Sequence, residues 1–309
     1  NRFHWHLTDA QGWRIEIKQY PKLATIGGEG CHSDPDTPAQ YYTQEQIRDI
    51  IAYAKERHIE IIPEIDMPGH MLAALASYPE LGCTGGPYKV LCSFGVFPDV
   101  LCAGNDQTLQ FTKDVLDEIM DIFPSEYIHI GGDECPKSRW EKCPKCQAKI
   151  KELGIKALPK HSKENQLQTY FMSELEKEIN AHGRRMLGWD EVLEGGLTPN
   201  STIMSWRGIQ GGIEAARQHH DVIMTPIQRL YFSNPRINKM TGFEWMNRVV
   251  DSSNDDGMNW QVMRMADIYL MAAEAINELE GPKGSSDAGK RPGSQRNEGL
   301  RNRKNPEDG

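Results

Sequence analysis

Two adjacent carboxylic acids, Asp133 and Glu134, directly follow an apolar run and two glycines in the segment Ile128-His-Ile-Gly-Gly-Asp-Glu134. A neighbouring like charge raises the pKa of a carboxylic acid, so one acid of the pair can hold a proton while the other stays ionised. The pair is therefore a candidate for acid and base catalysis. The two glycines predict that a substrate approaches the backbone closely at this turn. The alternative is that the acids cap the helix that follows, because acids are favoured at helix N-termini.

Four further strand-like runs end in acidic, histidine or tryptophan side chains. The residues concerned are Asp9, Asp66 with His70, Trp189 and Trp206. Side chains at the carboxyl ends of parallel barrel strands meet at one face. Acids with tryptophans suit a sugar, whose CH faces stack on aromatic rings while its hydroxyls need charged hydrogen-bond partners. Burial in a packed core is the alternative for any single tryptophan.

Strand-like and helix-like segments alternate along the first two thirds of the chain. Strands are predicted near 2–8, 59–65, 127–131, 184–189, 201–205 and 221–225, and helices near 44–57, 106–122, 164–182 and 210–219. This alternation predicts an α/β fold with a parallel sheet and outer helices. We expect a TIM-type (β/α)8 barrel that is incomplete, with about six strands. The stretch 71–105 is predicted to be a loop on the strand-end face.

The order of these motifs resembles that of the glycoside hydrolase family 20 β-N-acetylhexosaminidases over about residues 1–232. The motifs are His4-Trp-His-Leu-Thr-Asp9, Gln11-Gly-Trp13-Arg14, Glu64-Ile-Asp66-Met-Pro-Gly-His70, His129-Ile-Gly-Gly-Asp133-Glu134, Gly188-Trp189-Asp-Glu191 and Ser205-Trp206-Arg207. The resemblance implies removal of terminal, non-reducing β-linked GlcNAc or GalNAc from glycans or chitooligosaccharides. In that family the 2-acetamido oxygen of the sugar attacks the anomeric carbon, which makes the reaction substrate-assisted and retaining.

The resemblance also implies roles for single residues. Glu134 is then the general acid and base, and Asp133 orients the acetamido nitrogen and stabilises the oxazolinium intermediate. Trp189 and Trp206 wall the acetamido pocket, and Tyr231 donates a hydrogen bond to the acetamido oxygen.

Two more roles and one departure follow from the same comparison. Asp9 would bind sugar hydroxyls, and His70, paired with Asp66, would support the acid. The segment Tyr231-Phe-Ser233 stands where the family has Tyr-Phe-Asp, which predicts weaker sugar binding because serine carries no charge. By the resemblance, we expect the first and last barrel strands to lie outside this chain.

Residues 245–282 resemble a different family, the SusD-like (RagB) glycan-binding lipoproteins, in the order of polar residues along a predicted amphipathic helix. The predicted domains are therefore a partial family 20 barrel at 1–232, a SusD-like helical segment at 233–282 and a disordered polar tail at 283–309. Three alternatives to hydrolysis by this mechanism stay open. They are an inactive remnant that at most binds sugar, a SusD-like glycan-binding fragment, and a sugar-processing barrel with a conventional nucleophile.

Composition limits the partners. A net charge of −9 argues against nucleic acid as the main partner, since phosphate binding needs a basic face. No apolar run is long enough to span a membrane. The family resemblances imply the periplasm or the cell surface, and the oligomeric state cannot be predicted.

The chain has seven cysteines, which could bind a metal ion or form disulfides. Cys143-Pro-Lys-Cys146 has the spacing of a zinc ribbon, but a structural zinc needs four ligands and one pair supplies two. We therefore predict no metal and no organic cofactor. A disulfide among Cys83, Cys92 and Cys102 is predicted for an exported protein.

Overall fold

The computed structural model describes residues 1–29, 38–93, 95–159, 161–196 and 198–231. Its strands are β1 (Arg2–His6), β2 (Thr8–Asp9), β3 (Gly12–Trp13), β4 (Glu60–Glu64), β5 (Tyr127–His129), β6 (Arg185–Trp189), β7 (Thr202–Ser205) and β8 (Val222–Met224). Its α-helices are α1 (Lys22–Thr25), α2 (Gln44–Glu56), α3 (Leu72–Ser77), α4 (Asp106–Ile122), α5 (Ser138–Lys142), α6 (Pro144–Glu152), α7 (Lys163–Ala181), α8 (Gln210–Arg217) and α9 (Ile227–Leu230). Two 3₁₀ helices span Pro79–Leu81 and Asp190–Gly195.

Six strands form one parallel sheet in the order β1-β4-β5-β6-β7-β8, and β2 pairs with β3 in a short antiparallel hairpin. Helices α2, α7 and α8 contact β4, β6 and β7 respectively. The sheet curls as an incomplete TIM-type barrel, so the predicted fold class is confirmed. The six predicted strands agree with the observed ones to within two residues at each end.

Alternate residues of each strand face opposite sides of the sheet, and each side has its own apolar cluster. The helix-facing cluster includes Trp5, Ile61, Ile128, Met186 and Ile203. The inner cluster consists of Ile62, Tyr127, Leu187 and Met204, with Trp189 packed against it. Two residues further along β4 and β5, on the inner face, stand Glu64 and His129, which are both fully buried. A polar layer therefore rests on the inner apolar layer, toward the carboxyl ends of the strands.

Side-chain caps fix where the long helices begin. Thr43 accepts a hydrogen bond from the Gln46 amide at the start of α2, and Ser162 does the same for Asn165 at the start of α7. In both helices the third residue returns a hydrogen bond to the cap, which forms a capping box. Such a cap stabilises a helix by about 1 kcal/mol.

Two sequence predictions about the segment 71–105 differ from the structure. The segment is not a loop throughout, because Leu72–Ser77 forms α3 and Gly82 pairs with Leu101. The predicted disulfide among Cys83, Cys92 and Cys102 is also not present, since no disulfide joins these three cysteines in the part of the chain that the structure describes.

Several predictions lie outside the described residues. They concern Ser233, the SusD-like segment with its amphipathic helix, and the tail at 283–309, so the predicted domain division stays a prediction. Within the described residues, no helix combines the length and apolar character needed to cross a membrane.

Candidate active site

The acid pair follows β5 through a turn that only glycine can form. Gly131 and Gly132 have φ angles of 68° and 96°, in the left-handed region that favours glycine. A Cβ on Gly131 would overlap the Asp66 carboxylate. The Gly132 amide donates a hydrogen bond to Asp66 Oδ1 at 3.3 Å. The space beside Gly131 is therefore occupied by Asp66, which corrects the prediction that this glycine admits a substrate.

Asp133 and Glu134 have different surroundings although they are neighbours. The Asp133 side chain is 15% exposed and the Glu134 side chain is 36% exposed. Glu134 has a φ of 42°, and a residue with a Cβ adopts this strained conformation only where surrounding contacts enforce it. The next helix, α5, has Lys137 at its N-cap and no side-chain cap. Helix capping therefore does not explain the pair.

His70 connects the acid pair to Asp9. Its Nδ1 lies 3.0 Å from Asp9 Oδ1, and its Nε2 lies 3.7 Å from Asp133 Oδ2 and 3.5 Å from Glu134 Oε2. The predicted pairing of His70 with Asp66 is replaced by pairing with Asp9, because the Nδ1 edge of the ring faces the hairpin β2–β3. Asp66 still lies near the ring, since its carboxylate is within 4.8 Å of ligand atoms of His70 and Asp133.

Burial and neighbouring charges raise the pKa values of Asp133, Asp66 and His70. Burial raises the pKa of Asp133 to about 6, with His70 opposing the shift. Burial, followed by the charges of Asp133 and Glu64, raises the pKa of Asp66 well above its usual range. Burial acts to lower the pKa of His70, but the Asp9 carboxylate outweighs it and raises that pKa to about 9. Near neutral pH His70 is therefore a cation beside the two acids.

Glu64 is a buried anion that the sequence reasoning did not assign to the site. Its Oε2 lies 2.7 Å from His4 Nε2 and 2.8 Å from His6 Nδ1. Its Oε1 accepts a hydrogen bond from Trp189 Nε1 at 2.9 Å. Burial acts to raise the pKa of Glu64, but the histidines His129, His6 and His4 lower it well below its usual range. Glu64 therefore stays ionised and fixes the orientation of a predicted site tryptophan.

His129 also belongs to this layer and was not assigned from the sequence. Burial lowers its pKa to about 3, although the charge of Glu64 acts to raise it. The Gly131 amide donates to its Nδ1 at 3.0 Å, so that nitrogen carries no proton. The ring lies between His4, at a centroid distance of 4.5 Å, and Trp189, at 4.8 Å. His129 therefore acts as a neutral spacer in the floor of the site.

The predicted aromatic residues form a continuous wall. The Trp189 and Trp206 rings are 6.5 Å apart at 72°, and Tyr231 stacks on Trp206 at 6.1 Å and 27°. Trp206 Nε1 donates to Glu191 Oε2 at 2.8 Å. Burial raises the pKa of Glu191 to about 8. Burial also raises the pKa of Tyr231 beyond its usual range, so its hydroxyl keeps its proton.

The structure thus brings together all eight residues predicted for the site. They are Asp9, Asp66, His70, Asp133, Glu134, Trp189, Trp206 and Tyr231. Seven of them lie at or just after the carboxyl ends of β1, β4, β5, β6 and β7, and Tyr231 follows β8 and α9. Two groups here, His4 with Glu64 and His129, and Asp66 with His70 and Asp133, have the spacing of metal ligands. Each group also has a close contact within the protein, His4 Nε2 to Glu64 Oε2 at 2.7 Å in the first and His70 Nδ1 to Asp9 Oδ1 at 3.0 Å in the second.

Comparison with known proteins places this geometry in a family. The model of the family described as "Glycosyl hydrolase family 20, catalytic domain" matches residues 1–283. A β-hexosaminidase of Porphyromonas gingivalis is 53% identical over 226 residues, which cover 73% of this chain and 28% of that protein. The match of the family model includes the segment 245–282, and the comparisons give no support to its resemblance to SusD-like proteins.

Solved structures agree with the sequence comparison. The crystal structure of β-N-acetylhexosaminidase from Bacteroides fragilis has a TM-score of 0.62 and 40% identity, covering 72% of this chain and 44% of that one. A mutant Streptomyces plicatus β-hexosaminidase in complex with the product GlcNAc has a TM-score of 0.61 and 32% identity, covering 74% of this chain and 42% of that one. The chain spans less than half the length of these three relatives. Both the order of its motifs and its fold nevertheless show that this chain belongs to glycosyl hydrolase family 20.

Proposed function

We propose that the site is that of a β-N-acetylhexosaminidase, which hydrolyses terminal, non-reducing β-linked GlcNAc or GalNAc by substrate-assisted retaining catalysis. The observation that carries the proposal is the asymmetry of the acid pair. Asp133 Oδ1 is buried and has no hydrogen-bond partner among the described residues, whereas Glu134 is more exposed. A buried oxygen without a partner is costly, so it suits an N–H donor on a ligand.

The proposed steps use this asymmetry. Glu134 gives its proton to the glycosidic oxygen as the bond from that oxygen to the anomeric carbon breaks. The acetamido oxygen attacks the anomeric carbon and forms an oxazolinium ion, while Asp133 accepts a hydrogen bond from the acetamido N–H and stabilises the positive charge. Glu134 then takes a proton from water, which opens the oxazolinium ring with retention of configuration.

The surroundings support these roles. With a pKa of about 6, Asp133 is mostly ionised at neutral pH, as a partner of a cationic intermediate must be. Tyr231 keeps its proton and can donate to the acetamido oxygen. The rings of Trp189 and Trp206 offer apolar walls for the acetamido methyl group and the sugar. The GlcNAc product bound by the Streptomyces plicatus relative supports the choice of sugar.

A conventional two-carboxylate mechanism is less favoured by the same geometry. Glu191 is a further acid beside the Trp206 ring, and its pKa of about 8 leaves it mostly protonated at neutral pH. It also accepts the Trp206 hydrogen bond and lies 3.6 Å from Arg207 Nε. A protonated and engaged carboxylic acid is a poor nucleophile.

The test is hydrolysis of p-nitrophenyl β-N-acetylglucosaminide by the purified chain, compared with p-nitrophenyl β-glucoside, which lacks the acetamido group. We expect turnover of the first substrate only, and Glu134→Gln should lower it by about 10²–10⁴-fold. Glu141→Gln, at an exposed position of helix α5, is the matched control and should keep full activity. Equal turnover of both substrates would refute substrate assistance, and an unchanged Glu134→Gln would refute the acid.

The alternative of a site that binds sugar without hydrolysis rests on Ser233, where the family has an aspartate. A thiazoline analogue of the oxazolinium ion distinguishes a site that only binds sugar from one that also hydrolyses it. Binding of the analogue with no turnover in the folded wild type would favour this alternative. Binding together with turnover would favour the enzyme.

Two further proposals concern the cellular location of the protein and the role of residues 245–282. We propose a periplasmic or cell-surface location, on the basis of the family resemblance, and fractionation of the native cells tests it. We also propose, from the resemblance of residues 245–282 to SusD-like proteins, that this segment has a structural role and does not contact the catalytic site. If it is right, Trp260→Ala should leave nitrophenol release unchanged.

A further inference from the structure

Four cysteine side chains converge beside the segment that follows β4. The sulfur atoms of Cys83, Cys102, Cys143 and Cys146 all lie within 4.8 Å of one another. Cys102 Sγ is 3.7 Å from both Cys143 Sγ and Cys146 Sγ, and Cys83 Sγ is 3.9 Å from Cys146 Sγ. Three of the four are buried and Cys83 is half-buried.

These separations fit a shared cation and do not fit disulfides. A disulfide joins its sulfur atoms at about 2.05 Å. A tetrahedron with metal–sulfur bonds of about 2.3 Å has sulfur–sulfur edges of about 3.8 Å. The three sulfur–sulfur distances of 3.7, 3.7 and 3.9 Å lie within 0.2 Å of that edge. Four thiolates in a tetrahedron select zinc among the common cellular cations, with iron as the other metal that takes this set.

The backbone around the cluster is arranged for close approach. Cys143 is the N-cap of α6 and Cys146 lies in the first turn of that helix. Cys83 and Cys102 come from two segments that pair through Gly82 and Leu101. A Cβ on Gly104 would overlap the amide of Cys146, so a glycine is needed where the two halves meet.

The Gly104 amide donates a hydrogen bond to the Cys102 sulfur. Zinc binds cysteine as the thiolate and releases the thiol protons to solvent. A backbone amide that donates to a ligating sulfur is the kind of outer contact that orients metal ligands.

We propose that Cys83, Cys102, Cys143 and Cys146 form a structural zinc site. All four positions of the tetrahedron are filled by protein sulfur, so no position is open for a substrate or water, as a catalytic zinc would need. The prediction of no metal from the sequence rested on a single cysteine pair, and the fold supplies the second pair from a segment about 40 to 60 residues earlier.

The site would join the loop between β4 and α4 to the segment that follows the acid pair. The Leu101 amide, next to Cys102, donates to the Pro68 carbonyl at 3.0 Å, and Pro68 lies two residues before His70. Trp140 Nε1 donates to the Leu101 carbonyl at 2.8 Å. A metal at the cluster would therefore fix the loop that positions His70 without touching a substrate.

The test measures metal first, so it is independent of hydrolase activity. The full chain is purified under reducing conditions, and its zinc and iron contents are measured by inductively coupled plasma mass spectrometry. We expect about one zinc per chain, low reactivity of four thiols toward an alkylating reagent, and sulfur-to-metal charge-transfer bands after exchange with cobalt. Chelation should lower the thermal midpoint, and added zinc, but not magnesium, should restore it.

Matched variants complete the design. Cys102→Ser and Cys143→Ser should lose the zinc, whereas Cys92→Ser, in the same loop region but outside the cluster, should keep it. If a cluster variant fails to fold, the wild-type metal content and the reversible chelation still decide the question. A folded wild type without zinc, one with two disulfides among these cysteines, or one that holds iron instead would each overturn the proposal.

Discussion

Replacing Glu64 by glutamine tests whether the buried polar layer holds the site together. Glu64 Oε2 lies 2.7 Å from His4 Nε2 and 2.8 Å from His6 Nδ1, and Oε1 accepts a hydrogen bond from Trp189. The amide of Gln carries no charge and has one oxygen, so it cannot present an oxygen to the histidines and to Trp189 at once. Glu64 has no exposed surface, and solvent cannot replace the missing partner.

The size of the effect follows from the burial of the pair. Removing one partner of a buried ion pair costs about 3–5 kcal/mol, because the remaining charge is left uncompensated. Glu60→Gln, on the same strand, is the matched control. Glu60 is 31% exposed and pairs with Arg2, which is 48% exposed, so its loss should cost about 1 kcal/mol or less.

The dependence on pH gives the prediction a second readout. Burial acts to lower the pKa of His6, but Glu64 and Asp9 raise it from about 6.5 to about 10. A raised pKa in the folded state stabilises the fold fully below about pH 6.5, and this contribution is lost as pH rises to about 10. Glu64 has a depressed pKa, so its contribution is present above about pH 4.3 and is lost as pH falls. Glu64→Gln should therefore flatten both limbs of the stability profile.

The assay is urea unfolding of the wild type and both variants, followed by circular dichroism from acidic to alkaline pH. The alkaline limb of the wild type should fall by at most about 1.4 kcal/mol per pH unit for one proton. The reasoning is refuted if Glu64→Gln costs no more than Glu60→Gln and leaves the slope of that limb unchanged.

Three further predictions follow from the same contacts. Gly131→Ala should destabilise the chain by about 3 kcal/mol in urea unfolding, from backbone strain and overlap with a carboxylate, whereas Gly154→Ala, with φ 64° and open space, should cost about 1 kcal/mol. Asp9→Asn should lower the pKa of His70, and with it the alkaline limb of the kcat/KM profile, by about one pH unit or more. An unchanged imidazole titration by NMR would contradict this. Trp206→Phe removes the indole hydrogen bond to a carboxyl group and should raise KM roughly tenfold with little loss of folding, as measured by initial rates.

The elements of the barrel were predictable because their signals are local. Apolar runs at 59–65 and 201–205 and a capped, periodic pattern at 106–122 predict strands and a helix from neighbours in sequence. The strand-end acids and tryptophans were predictable for the same reason, since a barrel gathers strand ends wherever the strands occur. The helix at Leu72–Ser77 was missed because its six residues are too short to show periodicity.

The contacts between strands were not predictable, because they depend on register. His6 pairs with Glu64, and Glu64 pairs with His129, across three neighbouring strands. Alternation along β1 places His4 and His6 on one face, and this was the signal available for a polar layer. Which residues of β4 and β5 they would meet is decided by strand pairing, and a slip of one residue would turn every side chain to the other face. The cysteine cluster was missed for a similar reason, since its two pairs meet only through the fold.

The charges of the site form an alternating series from the barrel interior to the acid pair. His6 Nδ1 is 2.8 Å from Glu64 and its Nε2 is 3.4 Å from Asp9, while Asp9 in turn is 3.0 Å from His70. His70 then lies 3.7 Å from Asp133. His6 and His70 each lie between two anions. The free-energy cost of burying Glu64, His6, Asp9 and His70 as ions is therefore offset by their pairing. The same series explains why Asp133 can remain an anion at neutral pH although burial raises its pKa. A change at His6 should therefore alter the charge on Asp133 through two intervening residues, without contact between His6 and the substrate.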